Sequence, residues 1–158
     1  MKIKLVLTGK TEEKYIIEGF SLYEKRIKHY IPFEVYVLPS AKGSVKLAPT
    51  QIKEQESTFQ MKNIGDSDYI VLLDELGKEY RSIELASFIQ QRMNSSVKCL
   101  VFLIGGSYGF SQEMYKRANM KLSLSKLTFS HQIVRLLFME QLYRAFTIIK
   151  NEPYHHEG

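Results

Sequence analysis

The stretch VKCLVFLIGGSYGF, residues 97–110, decides the fold. Its first part is a continuous apolar run, and its second part carries glycines at positions 105, 106 and 109. An apolar run of this length before a turn indicates a strand that is covered on both faces, as in a parallel sheet. Glycine has no Cβ, so the backbone of the turn could approach a ligand closely; the alternative is a tight turn that needs positive φ.

Strand and helix patterns alternate on either side of this run. Further strands are predicted at 2–9, 33–38, 69–74 and 121–125, and helices at 11–30, 51–63, from 82 onward, 111–119 and 130–150. Such alternation predicts right-handed crossovers and a mostly parallel α/β sheet. Ligands bind beyond the carboxyl ends of the strands in such sheets, so chemistry is expected after Leu73, Ile104 and Leu124.

Local signals refine two of these elements. Thr11 is expected to cap the first helix, with Glu12 and Glu13 in its first turn. The residues ELGKEY, 75–80, are expected to form a turn that ends the third strand.

The composition is that of an ordinary globular protein. The chain has 158 residues, of which 44% are hydrophobic and 25% charged, so a single domain over 1–158 is expected. The only cysteine, Cys99, lies in an apolar run, which excludes an intramolecular disulfide and indicates a reducing compartment. No run approaches the roughly 18 apolar residues of a membrane span. We therefore predict a cytoplasmic location and no membrane contact.

The net charge of +5 fits a polyanionic partner but also fits many unrelated enzymes. The chain has no RNA-recognition-motif box and no pairs of zinc ligands, so no metal site is predicted. Any RNA contact is therefore expected on a surface that is not a known binding module.

The glycine turn excludes two common nucleotide sites. It lacks the order GxGxxG of a dinucleotide-binding turn and the Gly-Lys-Ser/Thr ending of a phosphate loop. What remains is a backbone-lined pocket for a compact organic ligand.

A second candidate stretch is LSLSKLTFSHQ, residues 122–132. Ser130 is expected to cap the final helix, because serine is favoured at helix N-termini. Alternatively, this loop closes over the glycine turn and contributes backbone hydrogen bonds together with the apolar side chains of Leu124, Leu127 and Phe129.

The final helix is apolar around nearly its whole circumference, which requires the sheet and a second subunit to pack against it. Glu140 and Arg144 form an i,i+4 pair on one side. Arg135 falls in the sector of Met139, Leu142 and Phe146, where a buried carboxylate or an anionic ligand is expected to pair with it.

Taken together, these residues resemble the large-subunit ribosomal RNA pseudouridine N3-methyltransferase family, a small branch of the SPOUT methyltransferases. The resemblance rests on LIGG with SxG, LSxSKxTFxHQ, VRxxxxEQxYRAF and the terminal YH, and extends to the early EKY and YEKR. It implies a parallel-sheet α/β fold with a C-terminal trefoil knot, S-adenosylmethionine as methyl donor, a homodimer, and methylation of N3 of a pseudouridine in large-subunit ribosomal RNA.

The resemblance also implies which residues act. The implied cofactor-binding residues are Leu73, Gly105, Leu124, Ser125, Lys126, Leu127, Thr128 and Phe129. The implied catalytic residues are His131, Arg135, Tyr154 and His155; either histidine could accept the N3 proton or bind phosphate. Two positions depart from the family: Ser130 replaces a frequent proline, and His156 replaces a frequent basic residue.

Specificity is expected to come from RNA or ribosome shape that a basic dimer surface recognises. The candidate contacts are Lys10, Lys14, Lys42, Lys46, Lys126 and Arg144. Two other functions stay open: a non-catalytic factor that binds RNA or the ribosome, and a SPOUT enzyme that acts on tRNA.

Overall fold

The computed structural model describes residues 1–41 and 46–157, and Lys42 therefore lies outside the described residues. The elements, in chain order, are β1 Lys2–Thr8, α1 Lys14–Ile27, β2 Phe33–Leu38, α2 Pro49–Lys62, β3 Tyr69–Glu79, α3 Ser82–Met93, β4 Cys99–Ile104, α4 Gln112–Arg117, β5 Met120–Ser123 and α5 Ile133–Ile149.

The five strands form one sheet in the order β2-β1-β4-β3-β5, and all neighbouring pairs are parallel. Every residue of β4 is buried, as its continuous apolar sequence predicts. The register aligns Leu7 of β1 and Leu73 of β3 with Ile104 of β4, so β1 and β4 end at one edge while β3 continues past it to Glu79. The predicted parallel α/β sheet is confirmed.

Helices cover both faces of the sheet. On one face α1 and α5 pack against each other, as do α3 and α5, and their apolar side chains form the larger core with alternate sheet residues. The Phe138 ring of α5 lies 4.8 Å from the Phe102 ring of β4 between centroids. The smaller core lies on the other face, where Phe110 and Met114 pack near Phe59 of α2.

Close packing of α1 on α5 depends on one glycine. A Cβ on Gly19 would lie 2.7 Å from the Leu136 side chain, so a larger residue here would push the helices apart. The final helix therefore packs between α1 and α3 over the sheet, which accounts for apolar residues around most of its circumference.

Local predictions for two elements are wrong. Residues 75–80 do not simply form a turn, because β3 continues to Glu79 with a register shift between Leu73 and Lys78 against β5. Gly77 permits this pairing, since a Cβ there would lie 2.7 Å from the Lys121 carbonyl carbon. Thr11 does not cap α1, which begins at Lys14; its hydroxyl accepts a hydrogen bond from Arg135 instead. Glu12 and Glu13 precede the first turn of α1 and do not lie in it as predicted.

Candidate active site

A cavity of about 520 Å³ lies beyond the carboxyl ends of β4 and β5, beside the part of β3 where the pairing with β5 shifts register after Leu73. We call it the edge cavity. It has the volume of a site for a cofactor-sized ligand. Its lining residues are Leu73, Asp74, Glu75, Leu76, Ile104, Gly105, Gly106, Ser107, Tyr108, Gly109, Phe110, Tyr115, Leu122, Leu124, Ser125, Leu127, Thr128, Phe129, Ser130, His131 and Val134.

The glycine turn forms one wall of this cavity. Gly109 has φ +82°, and its amide donates to the Gly106 carbonyl at 3.1 Å, so the backbone at 109 requires glycine. At Gly105 a Cβ would lie 3.2 Å from Cζ of Phe110 and 3.3 Å from the Gly109 carbonyl oxygen. Positive φ and close approach therefore operate together in this turn, at different glycines.

The loop after β5 forms the facing wall and is held by short-range hydrogen bonds. Ser123 donates through Oγ to the Ser125 carbonyl at 2.8 Å, and the Leu127 amide donates to Ser125 Oγ at 2.9 Å. Thr128 Oγ1 donates to Glu75 Oε2 at 2.8 Å and so joins this loop to the end of β3. The two candidate stretches of the sequence thus face one cavity.

Of the residues implied for cofactor binding, Lys126 alone does not line the edge cavity. Its side chain is 87% exposed, and Nζ lies 4.0 Å from a carboxylate oxygen of Glu79. The backbone of the loop reaches the cavity on either side of it, through Ser125 and Leu127.

An acid–phenol pair in the cavity was missed from the sequence. Tyr115 donates through its hydroxyl to Asp74 Oδ2, and the Leu76 amide donates to Asp74 Oδ1 at 2.9 Å. Burial, reinforced by Asp74, raises the pKa of Tyr115 to about 12, so the phenol stays protonated. Asp74 directly follows the apolar residues of β3, and that position was the available signal.

Ser130 and His131 join the edge cavity to the final helix. Ser130 Oγ accepts a hydrogen bond from the Ile133 amide at 3.1 Å, as expected of a capping serine, but the residue at the N-cap position of α5 is Gln132. His131 Nδ1 lies 3.4 Å from Ser107 Oγ, across the cavity wall. The imidazole therefore lies beside the glycine turn.

Arg135 is fully buried, and among the described residues its guanidinium donates hydrogen bonds to neutral oxygens. The guanidinium donates to the Thr8 and Gly9 carbonyls at 2.8 and 2.9 Å and to the Thr11 hydroxyl at 2.9 Å. Burial lowers the pKa of Arg135, and the charge of Glu12 opposes that shift. Of the two expected partners, a carboxylate is not among these acceptors, because carbonyls at the end of β1 and in the loop after it accept from the guanidinium. Pairing with an anionic ligand stays a prediction.

Tyr154 and His155 do not line the edge cavity. The Tyr154 hydroxyl donates to Glu140 Oε1 at 3.1 Å, and its ring packs edge-on against Tyr143 with centroids 4.8 Å apart. His155 Nδ1 lies 3.1 Å from Arg144 Nη1. Within one chain, the structure therefore does not bring these two residues together with His131.

The described residues, 1–41 and 46–157, contain neither a cluster of metal ligands nor a membrane-spanning helix. No group of three or more His, Cys, Asp or Glu side chains is placed to hold a metal ion there. No helix in the same ranges is long and apolar enough to cross a membrane.

Comparison with known proteins places this fold in a class. A family model described as "Predicted SPOUT methyltransferase" matches residues 1–155. The crystal structure of the tRNA (m1G37) methyltransferase from Aquifex aeolicus superposes with a TM-score of 0.56 at 15% identity, covering 100% of this chain and 76% of that one. The chain therefore belongs to the SPOUT methyltransferases, and its parallel sheet has their fold.

Two relatives named "Ribosomal RNA large subunit methyltransferase H" narrow this class. The protein of Parabacteroides distasonis is 50% identical over 157 residues, which is 99% of this chain and 100% of the relative. That of Christiangramia forsetii is 53% identical over 156 residues, 99% of each chain. Within the SPOUT class, this chain belongs to the ribosomal RNA large subunit methyltransferase H family.

Proposed function

We propose that this protein transfers a methyl group from S-adenosylmethionine to N3 of a pseudouridine in large-subunit ribosomal RNA. The observation that carries the proposal is end-to-end identity of about half with relatives named as large-subunit ribosomal RNA methyltransferases. The edge cavity supports it independently, because its walls come from the two stretches that the resemblance assigns to the cofactor.

The residues of the edge cavity fit S-adenosylmethionine. Its volume lies within the usual range for such ligands, and Gly105 leaves open a space that any side chain would crowd. Leu124, Leu127 and Phe129 supply apolar walls, and the backbone around Ser125 and Thr128 supplies polar groups. When bound there, the cofactor supplies an electrophilic methyl group.

The protein's own part in the reaction is mainly to hold and orient the target base, which accounts for much of the acceleration in such transfers. The proton on N3 must also leave. His131 is the candidate acceptor beside the glycine turn, and His155 is the candidate at the chain end. Arg135 holds the β1–α1 loop close to this site.

We also propose a homodimer in which α5 forms the two-fold interface. Ile133, Leu137, Glu140 and Arg144 follow one another at helical spacing along α5, and all are only half-buried in the single chain. An interface here would cover the two apolar residues, Ile133 and Leu137. It would also bring the residues after α5, which we call the tail, of one subunit near the edge cavity of the other.

The dimer is tested by sedimentation velocity at micromolar protein concentration. We expect a species of twice the chain mass for the wild type and a shift toward monomer for Leu137→Arg, because an unpaired charge in an apolar interface is costly. Lys28→Glu, at the exposed residue that follows α1, is the control and should remain dimeric. A fully active wild-type monomer would contradict the proposal.

The tail has a defined path that makes its removal informative. Asn151, with φ +54°, ends α5, and the Tyr30 hydroxyl donates to Glu152 at 2.7 Å. We expect deletion of residues 154–158 to lower methyl transfer by at least about tenfold, with cofactor affinity unchanged, because it removes Tyr154 and His155, which are implied to act in catalysis.

Calorimetry measures the cofactor affinity, and single-turnover kinetics measure the rate of methyl transfer. Deletion of residues 157–158 alone keeps Tyr154 and His155 and is expected to keep the rate. To find which subunit's site the tail serves, a Gly105→Val subunit is paired with a tail-deleted one. Activity in that heterodimer means that the tail acts on its partner, and full activity of the tail-deleted homodimer would contradict any catalytic role.

We propose further that residues 1–158 form one domain and that its C-terminal part is threaded as a trefoil knot. The supports are the single sheet, the SPOUT family match, and the return of the chain from β5 at the sheet edge to α5 between α1 and α3. A crystal structure of the dimer tests the threading and the interface together.

The basic candidates for RNA contact occupy several faces. Lys10 lies beside the carboxyl end of β1, and Lys126 is exposed at the rim of the edge cavity. Arg144 pairs with Glu140 at 2.6 Å on α5, so it has to change partner to meet phosphate. We rank these contacts by reversing the charge at Lys10 or at Lys126 and measuring how the salt dependence of RNA binding changes.

The function itself is tested with labelled S-adenosylmethionine. Purified protein is incubated with whole ribosomes, large subunits, free ribosomal RNA or tRNA, and the methylated nucleotide is mapped. Label on N3 of a large-subunit pseudouridine is expected. Label on tRNA would identify a different SPOUT activity, and cofactor-free RNA binding would identify a non-catalytic factor.

A further inference from the structure

Glu56 of α2 is a buried carboxyl to which the proposed methyl transfer assigns no role. Its exposure is 4%, and Oε1 has no hydrogen-bond partner among the described residues. Oε2 accepts only a long hydrogen bond, 3.4 Å, from the Ala41 amide. A buried acid with an unused acceptor is costly in a folded protein, so its retention calls for a ligand.

This carboxyl lies against the glycine turn from the side opposite the edge cavity. A Cβ on Gly106 would lie 2.8 Å from Oε1, so the glycine at 106 is what admits Glu56. Glu56 also lines a second cavity of about 540 Å³, which we call the inner cavity. Gly106, Ser107 and His131 line both cavities and form the wall between them.

The inner cavity shares a wall with the proposed cofactor site, so a base bound in the inner cavity would lie next to the methyl donor. Thr8, Gly9 and Lys10 bound it on the β1 side, and Ser40 bounds it on the β2 side. A flat ring entering here has Glu56 at one edge and the shared wall with the edge cavity at another. The terminal torsion of glutamate is broad, so either carboxyl oxygen can turn toward such a ring.

In its protonated form, Glu56 suits a specific pairing. Burial favours that form because it raises the pKa of this carboxyl, and the hydrogen bond from the Ala41 amide opposes the shift. A protonated carboxyl presents one O–H donor and one carbonyl acceptor side by side. In pseudouridine, N1–H is the complementary donor and the C2 carbonyl oxygen is the complementary acceptor, and pairing with both leaves N3 free.

We propose that Glu56 recognises pseudouridine by accepting a hydrogen bond from N1–H and donating one to the C2 carbonyl oxygen, and so excludes uridine. Uridine carries its ribose on N1, so it has no N1–H to pair with this acid. The inference rests on the proposed methyl transfer and adds to it the group that selects the base.

The test compares methyl transfer to ribosomes that carry pseudouridine or uridine at the mapped target. The wild type is expected to prefer pseudouridine by at least about 100-fold in kcat/KM, because a site built to bond an N–H rejects an analogue without it. Glu56→Leu is expected to reduce that preference by at least about tenfold. Glu56→Gln is expected to keep it, since the amide also offers one donor and one acceptor.

Gln60→Leu is the matched control, because Gln60 is buried one turn further along α2 but does not line the inner cavity. It is expected to keep the preference whatever its effect on stability. If Glu56→Leu does not fold, Glu56→Asp, which withdraws the carboxyl by one methylene, is expected to reduce the preference by at least about fivefold.

The outcomes separate this inference from the proposed function. A Glu56→Leu or Glu56→Asp enzyme with unchanged preference overturns the role of Glu56, as does a Glu56→Gln enzyme that loses the preference. A wild type that methylates uridine equally well overturns the role while leaving the methyltransferase function intact. A wild type that methylates neither substrate overturns both.

Discussion

Gly105→Val is expected to weaken S-adenosylmethionine binding by at least about 100-fold while the protein stays folded. The first carbon of a side chain at 105 already lies 3.2 Å from the Phe110 ring and 3.3 Å from the Gly109 carbonyl oxygen. The two further methyl groups of valine must displace that ring or enter the space for the ligand. Either change alters the wall of the edge cavity.

Calorimetry with S-adenosylmethionine measures this effect, and far-ultraviolet circular dichroism checks the fold. Gly65→Val is the matched control, because a Cβ at 65 makes only ordinary contacts, 3.4 Å from Asp68 Oδ2, outside the edge cavity. The control is expected to bind like the wild type. Unchanged affinity in Gly105→Val would remove the glycine turn from the cofactor site.

Arg135→Met is expected to lower the free energy of unfolding by about 3 kcal/mol, because it leaves buried carbonyls without donors. The guanidinium joins α5 to the end of β1 through the carbonyls of Thr8 and Gly9. Arg135→Lys is expected to recover only part of the loss, since one ammonium cannot reproduce the planar fork of donors.

Urea unfolding at one fixed protein concentration measures this loss, since the proposed dimer makes stability depend on concentration. Arg26→Met is the control, because Arg26 is half-buried and contacts aromatic rings rather than buried carbonyls. A variant at 135 with wild-type stability but no methyl transfer would assign Arg135 to catalysis instead of to the loop.

Arg135 illustrates how much of the structure the sequence predicts. Helical periodicity alone placed Arg135 in the buried sector of α5, and burial alone required partners for it. Its partners come from β1, as far as 127 residues away in the chain. No local pattern specifies them, because they depend on α5 packing over the sheet beside the end of β1.

The glycine turn shows a similar division. Its place after a continuous apolar strand predicted a ligand site at the edge of a parallel sheet, and the edge cavity lies there. The role of each glycine was not predictable, however. Gly109 needs positive φ, Gly105 lies under Phe110, and Gly106 admits Glu56.

The prediction that β3 ends in a turn at residues 75–80 failed because the extension of β3 depends on tertiary contacts. Residues 75–80 read locally as a turn, but Gly77 allows the backbone of β5 to approach and pair with them. Pairing of this kind depends on which strand lies alongside, and β5 is separated from β3 by two helices and a strand.

Sequence by itself therefore determined the alternation of strands and helices, the parallel sheet, the edge at which ligands bind, and the burial of Arg135. These follow from periodicity and from residue chemistry within short stretches. Tertiary structure alone decided the strand order, the Asp74–Tyr115 pair and the contact of Glu56 with Gly106. Each of these joins segments far apart in the chain, and only the packing of crossovers on the sheet brings them together.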